Sequence, residues 1–412
     1  MHGITLTKAP ADWEILQQEN GKATVALKGN FQVHPAAIEV GVERVTPVVR
    51  VMSEDDNMTV IPWTNADHFT CNEKFQGEFE VTLEIPAGGP YRIDTSLETK
   101  STVPDLTWLY RGDCVLHLGV GNLFIIAGQS NSAGYSRDFC IDPPSMDVHL
   151  YRNRSKWDIA SHPMNESTFA GSLANEEMGV PGVSPYLAFG KTYGKMTGMP
   201  VGLIQTSLGG SPMERWNPKD GDLYLNMVDK IHETGGRYAG VLWYQGCSDT
   251  NPGPAEKYLE HFREYVEATR KELGYEIPFF TMQLNRQING INDECWGMVR
   301  DAQARAAKEI PGVSVLTTSN LSLCDGIHNT AQANVALGEK LAKQCAHVLN
   351  GKEEYQPPEL VKVERADEAE KKSFQLEGSG IWLKLTCDHV KNCFLVYSAE
   401  GKDSGFTLTD SQ

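Results

Sequence analysis

The stretch NLFIIAGQSNSAGY, residues 122–135, determines how the rest of the chain is interpreted. Its five consecutive apolar residues, Leu123 to Ala127, have the length and branched content of a strand buried on both faces of a parallel sheet. The run stops at Gly128, and the polar triplet of residues 129–131 follows, so the backbone turns where the strand ends. Ligands of open α/β sheets bind at that end. Ser130 is therefore the first candidate nucleophile, although a serine that caps the next helix would produce the same pattern.

After Asn122 the sequence alternates between apolar strand-like runs and amphipathic helices. Residues 136–182 form an irregular region without such periodicity. The alternation predicts a three-layer α/β/α fold of the flavodoxin-like type, with a parallel five-stranded sheet and right-handed crossovers. The four further predicted strands are Val201–Gln205, Gly240–Tyr244, Pro278–Leu284 and Val313–Thr317, and the predicted helices are Pro185–Met196, Leu223–Glu233, Pro254–Leu273, Cys295–Lys308 and Thr330–Leu349.

Strand-like segments flank this region on both sides. From Lys22 to Leu118, short alternating stretches are separated by turn signals, which predicts a small antiparallel β domain. We expect it to support the next domain and not to act as a carbohydrate-binding module, because its sequence shows no cluster of aromatic residues that could bind a sugar. The predicted domains are 1–118, 119–352 and 353–412. The last is a small β element with strands at Phe374–Leu376, Gly380–Leu385 and Cys393–Tyr397, and its interrupted end at residues 405–408 suggests a truncated form.

Composition excludes several classes of function. The net charge of −17 comes with no basic stripe that could follow phosphates, so a nucleic-acid partner is not expected. No run of about 18 apolar residues is present, and the first residues lack the pattern of an export signal. We therefore expect a cytoplasmic protein without membrane association, or a secreted or periplasmic one if a leader was removed. The nine cysteines lack CxxC spacing, which favours reduced thiols over disulfides or a zinc site.

Three later strand ends carry polar or glycine-rich sequences that belong at the same edge as Ser130. SLGGSPMERW, residues 207–216, contains Gly209 and Gly210, where backbone can approach a ligand closely and an N–H can donate to an oxyanion. WYQGCSD, residues 243–249, offers the side-chain amide of Gln245. DGIH, residues 325–328, places a carboxylate three residues before an imidazole. That spacing lets Asp325 bind Nδ1 of His328 while Nε2 faces a nucleophile.

The order and content of these four blocks resemble the SGNH hydrolase superfamily. More narrowly, they are similar to its carbohydrate-esterase branch, which contains sialate O-acetylesterases and acetylxylan esterases. The β segments on both sides and the stretch Gly88–Arg92 look more like the sialate enzymes. The resemblance implies a serine esterase that needs no metal or other cofactor and removes acetyl groups from a sugar or glycan. It also implies that Gln245 takes the side-chain oxyanion role that Asn has in other SGNH enzymes.

The third block departs from the pattern of this branch, which usually reads Gln-Gly-Glu. Here the block reads Gln245-Gly-Cys247. A thiol cannot replace the charge of a carboxylate or its ability to accept two hydrogen bonds. We interpret Cys247 as a small thiol that fills space and not as the nucleophile, because Ser130 has the turn expected of a nucleophile.

The predicted mechanism is two-step acyl transfer in which Ser130 attacks the acetyl carbonyl, His328 moves the proton and Asp325 orients the imidazole. The predicted oxyanion donors are the N–H of Ser130, the N–H of Gly210 or Gly209, and the amide of Gln245. Weaker candidates for contact with the sugar are Gln129, Arg215 and Trp216, and a packing role is the equal alternative for Arg215 and Trp216. The alternatives are an acetylxylan or other polysaccharide esterase, a GDSL-type lipase or thioesterase, and a carbohydrate-binding protein with a degenerate esterase domain. The sequence leaves the oligomeric state open.

Overall fold

The computed structural model is built around one long strand, Leu109–Gly128. Its last residues are buried on both faces, as predicted. Leu123 and Ile125 point into one hydrophobic core and Phe124 and Ile126 into another, all of them at most 2% exposed. This alternation with a period of two is what a strand between two helix layers requires. The structure describes residues 2–102, 109–288, 290–351, 359–365, 367–373, 383–388, 393–397 and 406–410.

The long strand lies in the middle of a mostly parallel sheet. All five predicted strands are present in it. The sheet continues beyond the predicted five, because residues 136–182 contribute two more short strands, and only the outermost of these is antiparallel to its neighbour. The order across the sheet is Trp157–Ile159, Val148–Tyr151, Val201–Gln205, Leu109–Gly128, Gly240–Tyr244, Phe279–Met282 and Val313–Leu316.

Helices cover both faces of this sheet, which confirms the predicted three-layer fold. Tyr186–Thr197 and Ala331–Asn350 pack against Phe124 and Ile126 on one face. The other face is covered by the remaining long helices, whose aromatic side chains build a core around Trp243. These helices are Asp222–Glu233, Pro254–Leu273 and Asp293–Glu309, and the shorter helices are Pro35–Glu39, Ser130–Ala133 and Glu368–Ser373.

The N-terminal region forms antiparallel strands, as predicted. One four-stranded sheet faces the strands that join the first half of Leu109–Gly128, and the two enclose a separate hydrophobic core. The four-stranded sheet has the order Gly3–Lys8, Lys22–Gln32, Gln76–Pro86, His68–Phe69, and the opposing strands are Thr59–Asn65, Val42–Ser53 and Gly88–Ser101, with Ile15–Gln17 added in parallel. The proposed boundary between residues 118 and 119 therefore falls inside a continuous strand.

Two antiparallel strand pairs are described in the C-terminal part. Glu359–Arg365 pairs with Leu383–Asp388, and Cys393–Tyr397 pairs with Phe406–Asp410. The predicted strand at 374–376 and the first residues of the one at 380–385 lie outside the described residues. Within the ranges that the structure describes, no helix combines the length and apolar character needed to cross a bilayer.

Candidate active site

Ser130, His328 and Asp325 lie together at the carboxyl end of the sheet. Ser130 begins the four-residue helix that follows strand Leu109–Gly128, and its Oγ is 2.8 Å from Nε2 of His328. Nδ1 of His328 is 2.7 Å from Oδ2 of Asp325. The structure thus brings the three predicted catalytic residues into one continuous line of hydrogen bonds.

A tight loop prepares Asp325 to hold the imidazole. Oδ1 of Asp325 accepts the backbone N–H groups of Ile327 at 2.9 Å and His328 at 2.8 Å, which leaves Oδ2 for the ring. Partial burial opposes ionisation, but the hydrogen bonds from the His328 ring and from these two N–H groups outweigh it and lower the pKa of Asp325. An ionised carboxylate only accepts hydrogen bonds, so Nδ1 of His328 carries the proton and Nε2 is left to accept from Ser130.

Asn131 fixes this loop relative to the serine. Its amide donates to the carbonyl oxygen of Ile327 at 3.1 Å, and its Oδ1 accepts the N–H of Asn329 at 3.1 Å. One side chain in the first block therefore clamps residues on both sides of His328. Asn131 lies in the first block but was not predicted to have this role, because its partners are almost 200 positions away.

The backbone at the turn can receive a negative charge beside Ser130. Among the described residues, the N–H groups of Ser130 and Gly210 have no protein acceptor. Gly210 is exposed and has a φ of +68°, a conformation in the left-handed region that favours glycine. Gly209 is different, because its N–H donates to Oε2 of Glu177 at 2.8 Å. The structure therefore contradicts Gly209 as an oxyanion donor and leaves Gly210 as the candidate.

The predicted donation from Gln245 is also contradicted. Its amide nitrogen donates to the carbonyl oxygen of Ser211 at 3.0 Å and to Oδ2 of Asp249 at 2.5 Å, so both hydrogens are used. The side chain is fully buried, and its Oε1 has no hydrogen-bond partner among the residues that the structure describes. Asp249 also accepts the N–H of Met213 at 3.1 Å. Gln245 and Asp249 thus join the second and third loops, and neither hydrogen of the Gln245 amide is left for an oxyanion.

The three weaker candidates for sugar contact have other partners. Gln129 is 2% exposed and accepts the N–H groups of Gly246 at 3.0 Å and Ser248 at 3.1 Å, which favours a role in positioning the third loop. Trp216 is fully buried, and its indole donates to Ser211, so its predicted contact with the sugar is wrong. The Arg215 guanidinium binds Asp222 at 2.7 and 2.9 Å and is partly exposed, so its contact with a sugar stays a prediction.

Cys247 is half-buried between the hydrophobic core and the site. It packs against the core beside the triad loop, close to Asn131. Burial raises the pKa of the Cys247 thiol to about 12. A thiol that stays protonated at neutral pH is a weak nucleophile, which agrees with the space-filling interpretation.

Two further residues at the site were not predicted. The ring of Tyr135 stacks on His328, with centroids 5.7 Å apart and an angle of 29° between the planes. Its hydroxyl donates to Glu177, which comes from the region predicted to be irregular. Tyr135 stands in the quoted block, but nothing in the sequence indicated its partner, since residues 136–182 show no periodicity.

A cavity of about 450 Å³ lies beside the third loop. Met213, Ser248 and Asp249 line it on the side of the sheet, and Lys257 and His261 of helix Pro254–Leu273 line the other side. No triad residue lines this cavity. Among the residues that the structure describes, no three His, Cys, Asp or Glu side chains are grouped so that they could hold a metal ion.

A parallel sheet between helix layers, with Ser, His and Asp hydrogen bonded in sequence at its carboxyl end, has the geometry that hydrolysis by a serine nucleophile would require. The model of the carbohydrate esterase family, sialic acid-specific acetylesterase, matches residues 120–347, more than half of the chain. The chain belongs to this family. It is a carboxylic ester hydrolase, a carbohydrate acetylesterase whose substrate is an acetylated carbohydrate.

The chain is also similar to individual proteins and solved structures. A probable carbohydrate esterase of Arabidopsis thaliana is 26% identical over 245 residues, which cover 54% of this chain and 88% of the relative. The X-ray structure of an Arabidopsis thaliana protein is 25% identical, covers 56% of this chain and 99% of its own, and has a TM-score of 0.48. A carbohydrate acetylesterase from Xanthomonas citri is 20% identical, covers 88% of this chain and 79% of its own, and has a TM-score of 0.52. This last likeness concerns the fold.

Proposed function

We propose that the chain removes O-acetyl groups from sialic acid by Ser–His–Asp catalysis at Ser130. The observation that carries this proposal is the line of hydrogen bonds from Asp325 through His328 to Ser130, with distances of 2.7 and 2.8 Å. The acetylated sialic acid is the finer part of the proposal. It is supported by the description of the family and by the sequence resemblance to sialate enzymes.

In the first step, Oγ of Ser130 attacks the acetyl carbonyl carbon and its proton moves to Nε2 of His328. The ionised Asp325 stabilises the imidazolium that results. The oxyanion is placed against the N–H groups of Ser130 and Gly210, and donors of this kind contribute about 3 kcal/mol each to transition-state stabilisation. His328 then gives the proton to the departing sugar oxygen, and acetyl-Ser130 remains.

In the second step, water takes the place of the sugar. His328 accepts a proton from the water as it attacks acetyl-Ser130, and the same two N–H groups receive the second oxyanion. When this intermediate collapses, His328 returns the proton to Oγ of Ser130, and acetic acid leaves and loses its remaining proton to the solvent. Every proton in the cycle moves between Ser130, His328, the sugar and water, so the proposed reaction needs no metal.

The test is acetate release from 9-O-acetyl sialic acid, acetylated xylooligosaccharides and acetylated mannans. p-Nitrophenyl acetate serves as an acetyl ester without a sugar. We expect the highest kcat/KM on the sialic acid ester. Ser130→Ala should reduce turnover at least about 10³-fold on every substrate, because the remaining site lacks a nucleophile. Ser145→Ala, which changes a serine on a loop outside the site, is the matched control. EDTA should leave the rate of the wild-type protein unchanged.

The possible outcomes separate the parts of the proposal. Turnover by Ser130→Ala within tenfold of wild type would show that another residue is the nucleophile. A higher kcat/KM on the xylan or mannan esters would reject sialic acid and leave the esterase mechanism in place. Loss of activity in EDTA that zinc or manganese restores would reject the metal-free cycle. A wild-type protein that hydrolyses none of these esters would favour a carbohydrate-binding role.

A further inference from the structure

Glu177 joins two parts of the site that the triad does not connect. Its Oε2 accepts the backbone N–H of Gly209 at 2.8 Å, and its Oε1 accepts the hydroxyl of Tyr135. Gly209 precedes the candidate oxyanion donor Gly210, and the Tyr135 ring stacks on His328. One carboxylate therefore fixes both the loop that would receive the oxyanion and the ring that lies against the base.

The glycine at 209 is required for this arrangement. A Cβ at that position would lie 2.7 Å from Oη of Tyr135 and 2.9 Å from Oε1 of Glu177, closer than side-chain carbons approach. Other hydrogen bonds hold the loop on both sides of the two glycines, including the bond from the Gln245 amide to the carbonyl oxygen of Ser211 at 3.0 Å. Leu208 donates to Gly128 at 3.0 Å, and Ser211 donates to Leu208 at 2.9 Å. Because two glycines adopt many backbone conformations, the bond to Glu177 removes freedom where the donor must be held in place.

A series of buried side chains also fixes the carboxylate of Glu177. Asn165 is fully buried and donates to Oε2 of Glu177 at 2.8 Å, while its own carbonyl oxygen accepts from Asn153 at 2.8 Å. Lys230, 3% exposed, donates to Asn153 at 3.2 Å and to the carbonyl oxygen of Gln205 at 2.6 Å. Gln205 ends the strand that leads into the glycine loop. Through Asn165, Asn153 and Lys230, the Glu177 carboxylate is therefore connected to the end of the strand that leads into the glycine loop.

The electrostatics agree with a positioning role. Burial, together with the hydrogen bond and the charge of Glu177, raises the pKa of Tyr135. The phenol therefore stays protonated and keeps donating. Gly209, Tyr135 and Asn165 all direct hydrogens at the carboxylate, which compensates its charge close to the place where an oxyanion would form.

We infer that Glu177 is a positioning residue that sets the Gly209–Gly210 peptide and Tyr135 in the geometry needed for the transition state. This inference rests on the proposed acyl transfer at Ser130. Glu177 does not touch the reacting atoms, and it acts through its two neighbours. Its removal should therefore lower kcat while substrate binding stays nearly the same.

The test compares Glu177→Ala, Glu177→Gln and Tyr135→Phe with the control Glu176→Ala, which removes the exposed neighbouring carboxylate. Glu177→Ala should lower kcat on p-nitrophenyl acetate about 10- to 100-fold with KM changed less than about threefold. Glu177→Gln keeps one carbonyl oxygen and should recover part of this loss. Tyr135→Phe should lose a few-fold, and adding it to Glu177→Ala should cost less than it does alone, because both changes break one contact.

A second measurement separates positioning from general loss of structure. A boronic acid forms a tetrahedral adduct with the catalytic serine, so its inhibition constant should rise in Glu177→Ala in proportion to the fall in kcat/KM. A kcat within twofold of wild type, or a boronic acid constant that does not change, would overturn the inference. If Glu177→Ala proves too unstable to assay, the same comparison is made with Glu177→Gln and Tyr135→Phe. Failure of the proposed function would be seen separately, as activity that survives Ser130→Ala.

Discussion

At the scale of single residues, Cys247 stands beside the triad but lacks the properties of a nucleophile. Burial raises its pKa to about 12, so the thiolate is scarce at neutral pH. We predict that Cys247→Ser keeps p-nitrophenyl acetate turnover within about threefold of wild type, because the hydroxyl fills nearly the same space. Thiol alkylation should inactivate wild type only through bulk and spare the variant. A loss of several orders of magnitude in Cys247→Ser would instead assign the chemistry to the thiol.

Introducing a carboxylate at position 247, as the resemblance would lead one to expect there, tests a different property of this residue. The charges of Asp249 and Asp325 both act on position 247, and Arg215 is already bound to Asp222. A glutamate here would therefore depend on Asn131 and on nearby N–H groups for hydrogen bonds. We predict that Cys247→Glu changes the ranking of substrates in the sugar panel more than it changes turnover of p-nitrophenyl acetate. An unchanged ranking would mean that other residues set specificity.

Asp325 links activity to stability at acid pH. Its pKa is lowered in the folded protein, so its ionisation adds to the free energy of unfolding above the unfolded value of about 3.9. That contribution is lost as pH falls through the lower, folded pKa. We predict that Asp325→Asn lowers kcat about 10⁴-fold. We also expect the stability difference between wild type and variant to shrink as the pH falls below about 4. Denaturant unfolding from pH 7 to 2 measures this, and a difference independent of pH would contradict it.

At the scale of elements, the turn from strand to helix depends on Gly128. Its φ is +129°, and a Cβ would lie 2.3 Å from the carbonyl oxygen of Tyr244 on the neighbouring strand. We predict that Gly128→Ala lowers the free energy of unfolding by more than about 1 kcal/mol and reduces turnover, because the shift displaces Ser130. Calorimetry and the ester assay check both effects.

Gly198→Ala is the matched control for this prediction. Gly198 also has a positive φ, +72°, but within the described part of the chain no atom lies within 4 Å of its added Cβ. It ends helix Tyr186–Thr197, away from the triad. This variant should lose some stability through backbone strain and keep its kcat. Equal loss of activity in both variants would show that strain alone, and not the contact with Tyr244, decides the outcome.

Helices and strands could be predicted from local sequence patterns with different success. The long helices were predicted within a few residues, because each carries several turns of amphipathic periodicity. The strand Val148–Tyr151 was missed because four residues are too few to show a period, and its pairing with Val201–Gln205 comes from distant sequence. Of strand Leu109–Gly128, only the part that begins at Leu123 was predicted. Its first half pairs with strands of the N-terminal region.

At the scale of the whole molecule, we propose three regions, 1–118, 119–352 and 353–412, whose first boundary crosses a shared strand. The N-terminal part also supports the catalytic sheet directly. Ile15 packs in the core beside Leu123, and Gln17 accepts the N–H of Leu123 at 2.8 Å. We predict that deleting residues 1–118 removes cooperative thermal unfolding and activity, because the central strand loses its neighbours on one half. A soluble, active fragment would show that the region beginning at 119 folds alone.

The sequence by itself determined the three-layer fold and the order of the strand ends, and it predicted Ser130, Asp325 and His328 as the catalytic residues. Each of these depends on periodicity or on short spacings that can be read along the chain. Only the tertiary structure decided which donors are free, because hydrogen bonds are competitive and their partners are distant in sequence. Glu177 occupies the N–H of Gly209, Asp249 and Ser211 occupy the amide of Gln245, and a buried core encloses Trp216, whereas Gly210 stays open to a substrate.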